Sequence, residues 1–259
     1  MDIRTRVALV TGAGAGIGRA IAVRLAREGA AVVVADVDED GGVETVRRIE
    51  ADGGRAAFVL ADVAIKADVR AMVAFADQRF GGLDILVNNA GGAPEPYFPD
   101  AEPEHWGRTL DVNLRGTMLG IQFGIQAMRK RQGGVIVNIS SMAGMIYQPY
   151  GAPEYAASKA GVVHLTAALG SLKETLGIRV NCICPGWVET EAVQQFLATA
   201  TREELEQQSV PPPPELIQPE EIAELVVMFV RDDSLAGRVV VWPDEERWQL
   251  VPDGAMYRY

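Results

Sequence analysis

Val7-Ala8-Leu9-Val10-Thr11-Gly12-Ala13-Gly14-Ala15-Gly16-Ile17-Gly18 passes from a short apolar run into a glycine-rich turn and then into a helical pattern. Glycines let the backbone turn tightly and come close to whatever lies above it. The helix that opens at Ile17 offers unpaired N–H groups to an anion. A glycine string is informative when it follows a strand and opens a helix, and this one does both. Gly12, Gly14, Ala15, Gly16, Ile17 and Gly18 therefore read as a cradle for the pyrophosphate of a dinucleotide.

Outward from this turn the same alternation runs the length of the chain. Apolar runs at 7–11, 31–35, 57–60, 85–88, 135–140, 179–184 and 238–242 read as strands. Apolar residues recur every three to four positions at 17–28, 41–52, 66–80, 104–131, 155–176 and 219–231, which read as helices. The strand runs are continuously apolar, as burial on both faces requires. Strand–helix–strand repetition needs crossover connections, so the pattern predicts an α/β fold: a seven-stranded, doubly wound parallel sheet with helices on both faces. No linker divides the 259 residues, and one domain is expected. One stretch breaks the rhythm. Residues 187–218 carry charged side chains, Phe196 and the run Pro211 to Pro214, which excludes helix there. An insertion of this length near the carboxyl ends of the strands is expected to be a substrate lid.

Asp36 ends the second strand, 18 residues beyond Gly18. A carboxylate there accepts hydrogen bonds from both hydroxyls of an adenosine ribose. It would face a 2′-phosphate as a like charge, costing on the order of a few kcal/mol at an effective dielectric near 20. Val37 follows it, Ala13 and Ala15 occupy the turn, and no lysine or arginine stands beside it in sequence. NAD is accordingly expected over NADP. Asp62 and Val63, after the third strand, are expected to border the adenine.

Tyr155-Ala156-Ala157-Ser158-Lys159 sets a phenol and an ammonium four residues apart, one turn along a helical face. A free phenol, with a pKa near 10, is ionised to only about one part in a thousand at neutral pH. An ammonium about 4 Å away contributes roughly 4 kcal/mol at an effective dielectric of 20, enough to bring the phenol into the range of proton exchange with a substrate hydroxyl. Other short motifs accompany the pair: Asn88-Asn89-Ala90-Gly91 after the fourth strand, Asn113 within Asp111-Val112-Asn113-Leu114, Ser140-Ser141 ending the fifth, and Pro185-Gly186 leading to Thr190.

In this order, and over almost the whole chain, these motifs resemble the short-chain dehydrogenase/reductases. The resemblance implies a Rossmann fold and hydride transfer between a nicotinamide and a secondary alcohol or carbonyl. It also implies a tetrad. Tyr155 is the acid–base group, and Ser141, the second serine of its pair, hydrogen-bonds the substrate oxygen. Lys159 lowers the Tyr155 pKa and binds the nicotinamide ribose, and Asn113 positions a water that relays protons from Lys159. Val188 and Thr190 would hold the carboxamide beside Pro185 and Gly186, while Asn89, Ala90 and Gly91 border the cofactor. A homo-oligomer, dimer or homotetramer, built through the helices at 104–131 and 155–176, is implied as well. Two places depart from the family pattern. Ser141 precedes Tyr155 by fourteen residues where thirteen are usual, so the loop between them carries an extra residue, most simply near 149–153. Near the carboxyl end Val241-Trp242-Pro243-Asp244 stands in place of a Val-Asp-Gly-Gly-like segment.

Composition narrows the partners. A net charge of −11, from 24 basic and 35 acidic residues, repels phosphate backbones and anionic lipid, so neither nucleic acid nor membrane is expected. No signal-like segment precedes the first strand and no apolar run is long enough to span a bilayer, which points to the cytoplasm. Cys182 and Cys184 share a sheet face with no third cysteine or histidine near in sequence, and read as buried thiols, not as a metal site or a disulfide. The substrate is expected among residues 93–98, 142–150 and 187–196. Met142, Met145, Tyr147, Tyr150, Trp187 and Phe196, with Ser141, would give it an apolar pocket. Few basic residues stand in these loops, which favours a small uncharged alcohol or ketone. The expected protein is an NAD-dependent oxidoreductase interconverting a secondary alcohol and a ketone. An NADPH-dependent carbonyl reductase and a non-catalytic NAD-binding sensor are the alternatives; Asp36 opposes the first and the complete tetrad opposes the second.

Overall fold

A computed structural model of the chain describes residues 1–147, 151–201, 212–243 and 247–252. Seven strands, β1 (Val7–Thr11), β2 (Ala31–Asp36), β3 (Arg55–Leu60), β4 (Ile85–Asn88), β5 (Gly134–Ile139), β6 (Ile178–Pro185) and β7 (Val239–Trp242), pair in parallel in the order β3-β2-β1-β4-β5-β6-β7. An eighth strand, β8 (Gln249–Leu250), joins β7 antiparallel and extends the seven-stranded sheet read from the sequence. Two residues are too short for any apolar period to show. The helices among the described residues are α1 (Gly16–Arg27), α2 (Glu39–Ala51), α3 (Lys66–Phe80), α4 (Pro103–Leu110), α5 (Gly116–Arg129), α6 (Pro153–Ala168), α7 (Leu172–Leu176), α8 (Glu191–Thr199) and α9 (Pro219–Arg231). None is long and apolar enough to cross a membrane.

The two faces of β1 show why its sequence is apolar throughout. Ala8 and Val10 enter a core with Ile21 and Leu25 of α1 and Ile222, Val226 and Phe229 of α9. Val7 and Leu9 enter the other, with Val69 and Met72 of α3 and Leu119 and Met128 of α5. Because β1 has β2 on one side and β4 on the other, the winding reverses between β1 and β4, and a crevice opens beyond Thr11 and Asn88. A chain of buried amides seats α6 against this centre. Asn88 Nδ2 donates to Asn138 Oδ1 at 2.9 Å, and Asn138 Nδ2 donates to Thr166 Oγ1 at 2.9 Å.

Two long helical stretches are interrupted. The one expected at 104–131 is α4, a π-turn at Asp111–Arg115, and α5. A single inserted residue rotates the apolar stripe by about 100°, which a sequence period does not resolve. The one expected at 155–176 breaks between α6 and α7 because two backbones meet: a Cβ on Gly237 would lie 2.9 Å from the Gly170 Cα. Elsewhere the differences are at ends. β5 stops at Ile139, before Ser140, and β3 starts at Arg55, ahead of the expected 57. α8 occupies the first part of the 187–218 insertion, where helix had not been expected. Residues 202–211 of that insertion, Pro211 included, lie outside the described residues.

Candidate active site

The carboxyl ends of β1, β4, β5 and β6 border a cavity of about 730 Å³. Its wall over β1 is bare backbone. Gly12 and Gly16 have φ of +62° and +49°, the left-handed region that glycine occupies freely. A Cβ on Gly18 would lie 2.0 Å from the Gly12 carbonyl oxygen and 2.5 Å from Asn89 Nδ2. Asn89 ties the turn to β4: its amide donates to Thr11 O at 2.9 Å and Gly12 O at 3.0 Å. In return, Thr11 Oγ1 accepts from the N–H groups of Asn89 and Ala90 at 3.0 and 3.1 Å. Behind the turn, Ala15 gives α1 no side-chain cap, and no acidic residue stands in the first turn of that helix. Unpaired N–H groups and the positive end of the helix dipole are left for an anion. Nearby Asp36 holds a fixed carboxylate, accepting from Gly14 N at 2.7 Å and Asp38 N at 3.0 Å. Bare turn, uncapped helix and fixed carboxylate together fit a dinucleotide with its pyrophosphate over the turn.

Gly12, Ala15, Gly16, Ile17, Gly18, Asn89, Ala90, Gly91, Pro185, Gly186, Val188 and Thr190 all line the cavity. Gly14, Asp36, Val37, Asp62 and Val63 are not on its wall. Gly14 rests on Asp36, Val37 is largely exposed, and Val63 packs on Gly116. Asp62 accepts from Arg108 Nη2 at 2.7 Å and from Ala64 N at 2.9 Å. Burial pulls its carboxyl upward, but these donors more than offset it and hold the group below the usual carboxylate range. Sequence reasoning does not single out Arg19. Its guanidinium donates to Gly14 O, to Thr45 Oγ1 at 3.1 Å and to Glu191 Oε1 at 3.3 Å, joining the glycine turn to α8. Only its place one residue after Gly18, facing back along the helix, could have signalled this.

Ser141, Tyr155 and Lys159 line the same cavity. The adjacent serines divide the work. Ser140 is buried and donates to Lys159 O at 2.8 Å, fastening β5 to α6. Ser141 Oγ accepts from Ala143 N at 3.1 Å and also hydrogen-bonds the Tyr155 phenol. Lys159 Nζ donates to Ile139 O at 3.1 Å and lies 5.5 Å from the centre of the Tyr155 ring. Asn113, fully buried, sits in the π-turn. Its side chain accepts from Gly92 N at 2.9 Å and donates to Gly92 O and Ser158 Oγ, both at 3.0 Å. A Cβ on Gly91 would stand 2.9 Å from Lys159 Nζ and 3.0 Å from Asn113 Oδ1, so glycine here lets the two converge.

The electrostatics differ from expectation. Burial pushes the Tyr155 phenol up, with the Ser141 hydrogen bond opposing it. Burial also lowers Lys159, to about 8. A phenol held down by a neighbouring ammonium is therefore corrected to a desolvated pair in which the lysine is the group brought toward neutrality, because a dry site penalises both charges.

Of the residues expected around the substrate, Trp187 and Phe196 line the cavity and stack with ring centres 6.0 Å apart and planes 19° from parallel. Tyr97 joins them on the wall. Three expected residues are elsewhere. Met142 and Met145 turn into a core cluster with Val162 and Cys182, and Tyr147 is fully exposed. The cause is the short turn Met142–Gly144, pinned so closely to α6 that a Cβ on Gly144 would lie 2.6 Å from Ala160 N. Tyr150 lies outside the described residues. Thr190 accepts from Val193 N at 3.3 Å and so caps α8. Cys182 and Cys184 are free, buried and 3.9 Å apart at sulfur. No group of three or more metal-ligating side chains occurs among the described residues.

Comparison with known proteins agrees with this geometry. The family model for short chain dehydrogenases matches residues 6–201. Cyclohexanol dehydrogenase from Acinetobacter sp. (strain SE19) is 37% identical over 230 residues, covering 88% of this chain and 89% of that protein. Cis-4-hydroxycyclohexanecarboxylate dehydrogenase from Sinomonas cyclohexanicum is 38% identical over 229 residues, covering 88% and 90%. The crystal structure of a short-chain type dehydrogenase/reductase from Mycobacterium marinum matches with a TM-score of 0.82 at 32% identity, covering 93% of this chain and 94% of that one. The chain belongs to the short-chain dehydrogenase/reductase family, oxidoreductases that bind a nicotinamide cofactor.

Proposed function

We propose that this protein is an NAD-dependent dehydrogenase for a small, apolar secondary alcohol, with Tyr155 exchanging the hydroxyl proton. The observation that carries the reading is the meeting of Ser141, Tyr155 and Lys159 on one wall of the cavity that also holds the glycine turn. Bound along that turn, the nicotinamide supplies the acceptor for the hydride. The chain's own residues handle the proton. Ser141 holds the substrate oxygen and the Tyr155 phenol together. For oxidation the Tyr155–Lys159 pair must first have shed one proton; Tyr155 then takes the hydroxyl proton as the carbonyl forms, beside Lys159, whose Nζ lies 5.5 Å from the centre of the phenol ring. Asn113 keeps Gly92 and Ser158 in place around the lysine. In the reverse direction the same groups return the proton.

Asp36 supports NAD, because a 2′-phosphate brought to its carboxylate would meet a like charge. The stacked rings of Trp187 and Phe196 support an apolar, ring-sized substrate, and two relatives are named for alcohols of the cyclohexane ring. A screen of NADH formation across secondary alcohols, cyclohexanols included, tests the reading with Tyr155→Phe as control. Wild type should turn over at least one of them. The variant should lose about a thousandfold in kcat while binding NAD as before. Wild-type turnover by the variant would end the proposal. One observation favours an NADPH-dependent carbonyl reductase instead: Arg19 brings a guanidinium to the glycine turn at Gly14. The ratio of kcat/KM for the two cofactors decides between them.

A further inference from the structure

The helix that carries Asn113 is fastened on both sides of its irregular turn to one loop. Before the turn, Arg108 of α4 donates to Asp62 Oδ2 at 2.7 Å. At its end, Arg115 donates to the carbonyl oxygen of Ala64 at 2.8 Å. Directly after it, a Cβ on Gly116 would stand 3.0 Å from Val63 Cγ2 and 3.1 Å from Val63 O, so helix and loop touch through backbone. The loop is itself stiff, since Asp62 Oδ1 accepts from Ala64 N at 2.9 Å and Asp62 N donates to Asp68 at 3.1 Å. Between the two arginines lies Asn113, fully buried and bonded to Gly92 and Ser158. A π-turn breaks the regular ladder and is a soft point in a helix. Two half-exposed arginine contacts add little to overall stability; their value here is where they attach.

We propose that Arg108 and Arg115 are positioning residues: paired struts that lock the Asp62–Ala64 loop to the turn bearing Asn113, so that occupation of the adenine end and the placement of Asn113 are coupled. This rests on the reading of the cavity as a dinucleotide site with Asn113 beside the reacting end, and on the adenine end reaching past the cavity wall to the Asp62–Ala64 loop. A ligand that orders the loop also orders the turn, because both are parts of one fastened unit. Neither arginine touches the reacting atoms; each acts through what it holds.

The test uses AMP, which carries the adenine end alone, in amide hydrogen exchange, together with steady-state turnover at saturating NAD. In wild type, AMP slows exchange both at 61–66 and at 110–117. In Arg108→Met and Arg115→Met, AMP still slows exchange at 61–66, but its effect at 110–117 shrinks about threefold or more, and kcat at saturating NAD falls about three- to tenfold. Arg108→Lys, which keeps the charge, restores most of both. Should Arg108→Met fail to fold, Asp62→Asn weakens the same strut from its other end and is read in the same two ways. An undiminished AMP effect at 110–117 in the methionine variants overturns the proposal. So does wild-type kcat in those variants with only AMP affinity reduced, since the arginines would then serve the adenine pocket alone. The exchange arm needs no turnover, so failure of the proposed reaction and failure of the struts are separate results.

Discussion

Between Gly12 and Gly18 the cavity wall is backbone, and a methyl group at position 18 would sit 2.0 Å from a carbonyl oxygen. At Trp187 and Phe196 the wall is side chain, two stacked rings carried on a loop and on α8. The first wall is set by φ angles and by cross-ties from Asn89 and Thr11, and at Gly18 nothing larger than hydrogen is tolerated. The second is set by which side chains the loops happen to carry. A backbone wall suits the part of a ligand that never changes, and a side-chain wall suits the part that differs between relatives. Substitutions in the two walls should therefore fail in different ways.

The largest effect is expected at the glycine turn. Gly18→Ala forces the turn apart, and overpacking of this kind costs about 1–3 kcal/mol, so NAD affinity should fall by up to roughly 100-fold with a lower Tm. Calorimetry and thermal melts read both, and unchanged affinity would show that the turn does not carry the cofactor. Next comes Asp36→Asn. Hydrogen bonds to a charged group are worth about 1.5–3 kcal/mol, so the preference for NAD over NADP should drop roughly tenfold or more in kcat/KM, with the fold intact. An unaltered ratio would move the source of discrimination elsewhere, with Arg19 the first place to look. The smallest effect is expected on the side-chain wall. Phe196→Ala removes a ring pair worth about 0.5–1.5 kcal/mol, so the alcohol KM should rise about two- to tenfold with no change in NAD affinity. A matching loss of NAD affinity would mean that the two walls are not separable.

The same contrast explains what could be read from the sequence. The glycine turn, the parallel sheet implied by crossovers and the position of Asp36 follow from backbone rules that leave a residue signature. That Ser141 precedes Tyr155 by fourteen residues could be counted. That Met142 would turn into the core and Tyr147 out to solvent could not, because the contact of Gly144 with α6 decides it. The π-turn at Asn113 left no trace, since the inserted residue carries no signature of its own and the apolar pattern on either side of it still reads as helix. The break after α6 depended on Gly170 meeting Gly237, residues far apart in the chain. Ser140 and Ser141 look equivalent as neighbours; their bonds separate them, Ser140 to Lys159 O and Ser141 to Ala143 N and the Tyr155 phenol. The ammonium's effect on the phenol was overestimated because burial, which penalises both charges, is invisible at four-residue spacing.

The central claim is that Tyr155 and Lys159 handle one proton between them, and pH tests it most directly. Burial raises the phenol and lowers the lysine to about 8, so the pair sheds its first proton near that pH whichever group is assigned it. Alcohol oxidation needs the pair with that proton gone, and carbonyl reduction needs it present. With rising pH, kcat/KM for oxidation should climb and level off near 8, while kcat/KM for reduction should fall through the same value. Profiles that are flat between pH 6 and pH 10, or that bend in the same direction for both reactions, would contradict the account.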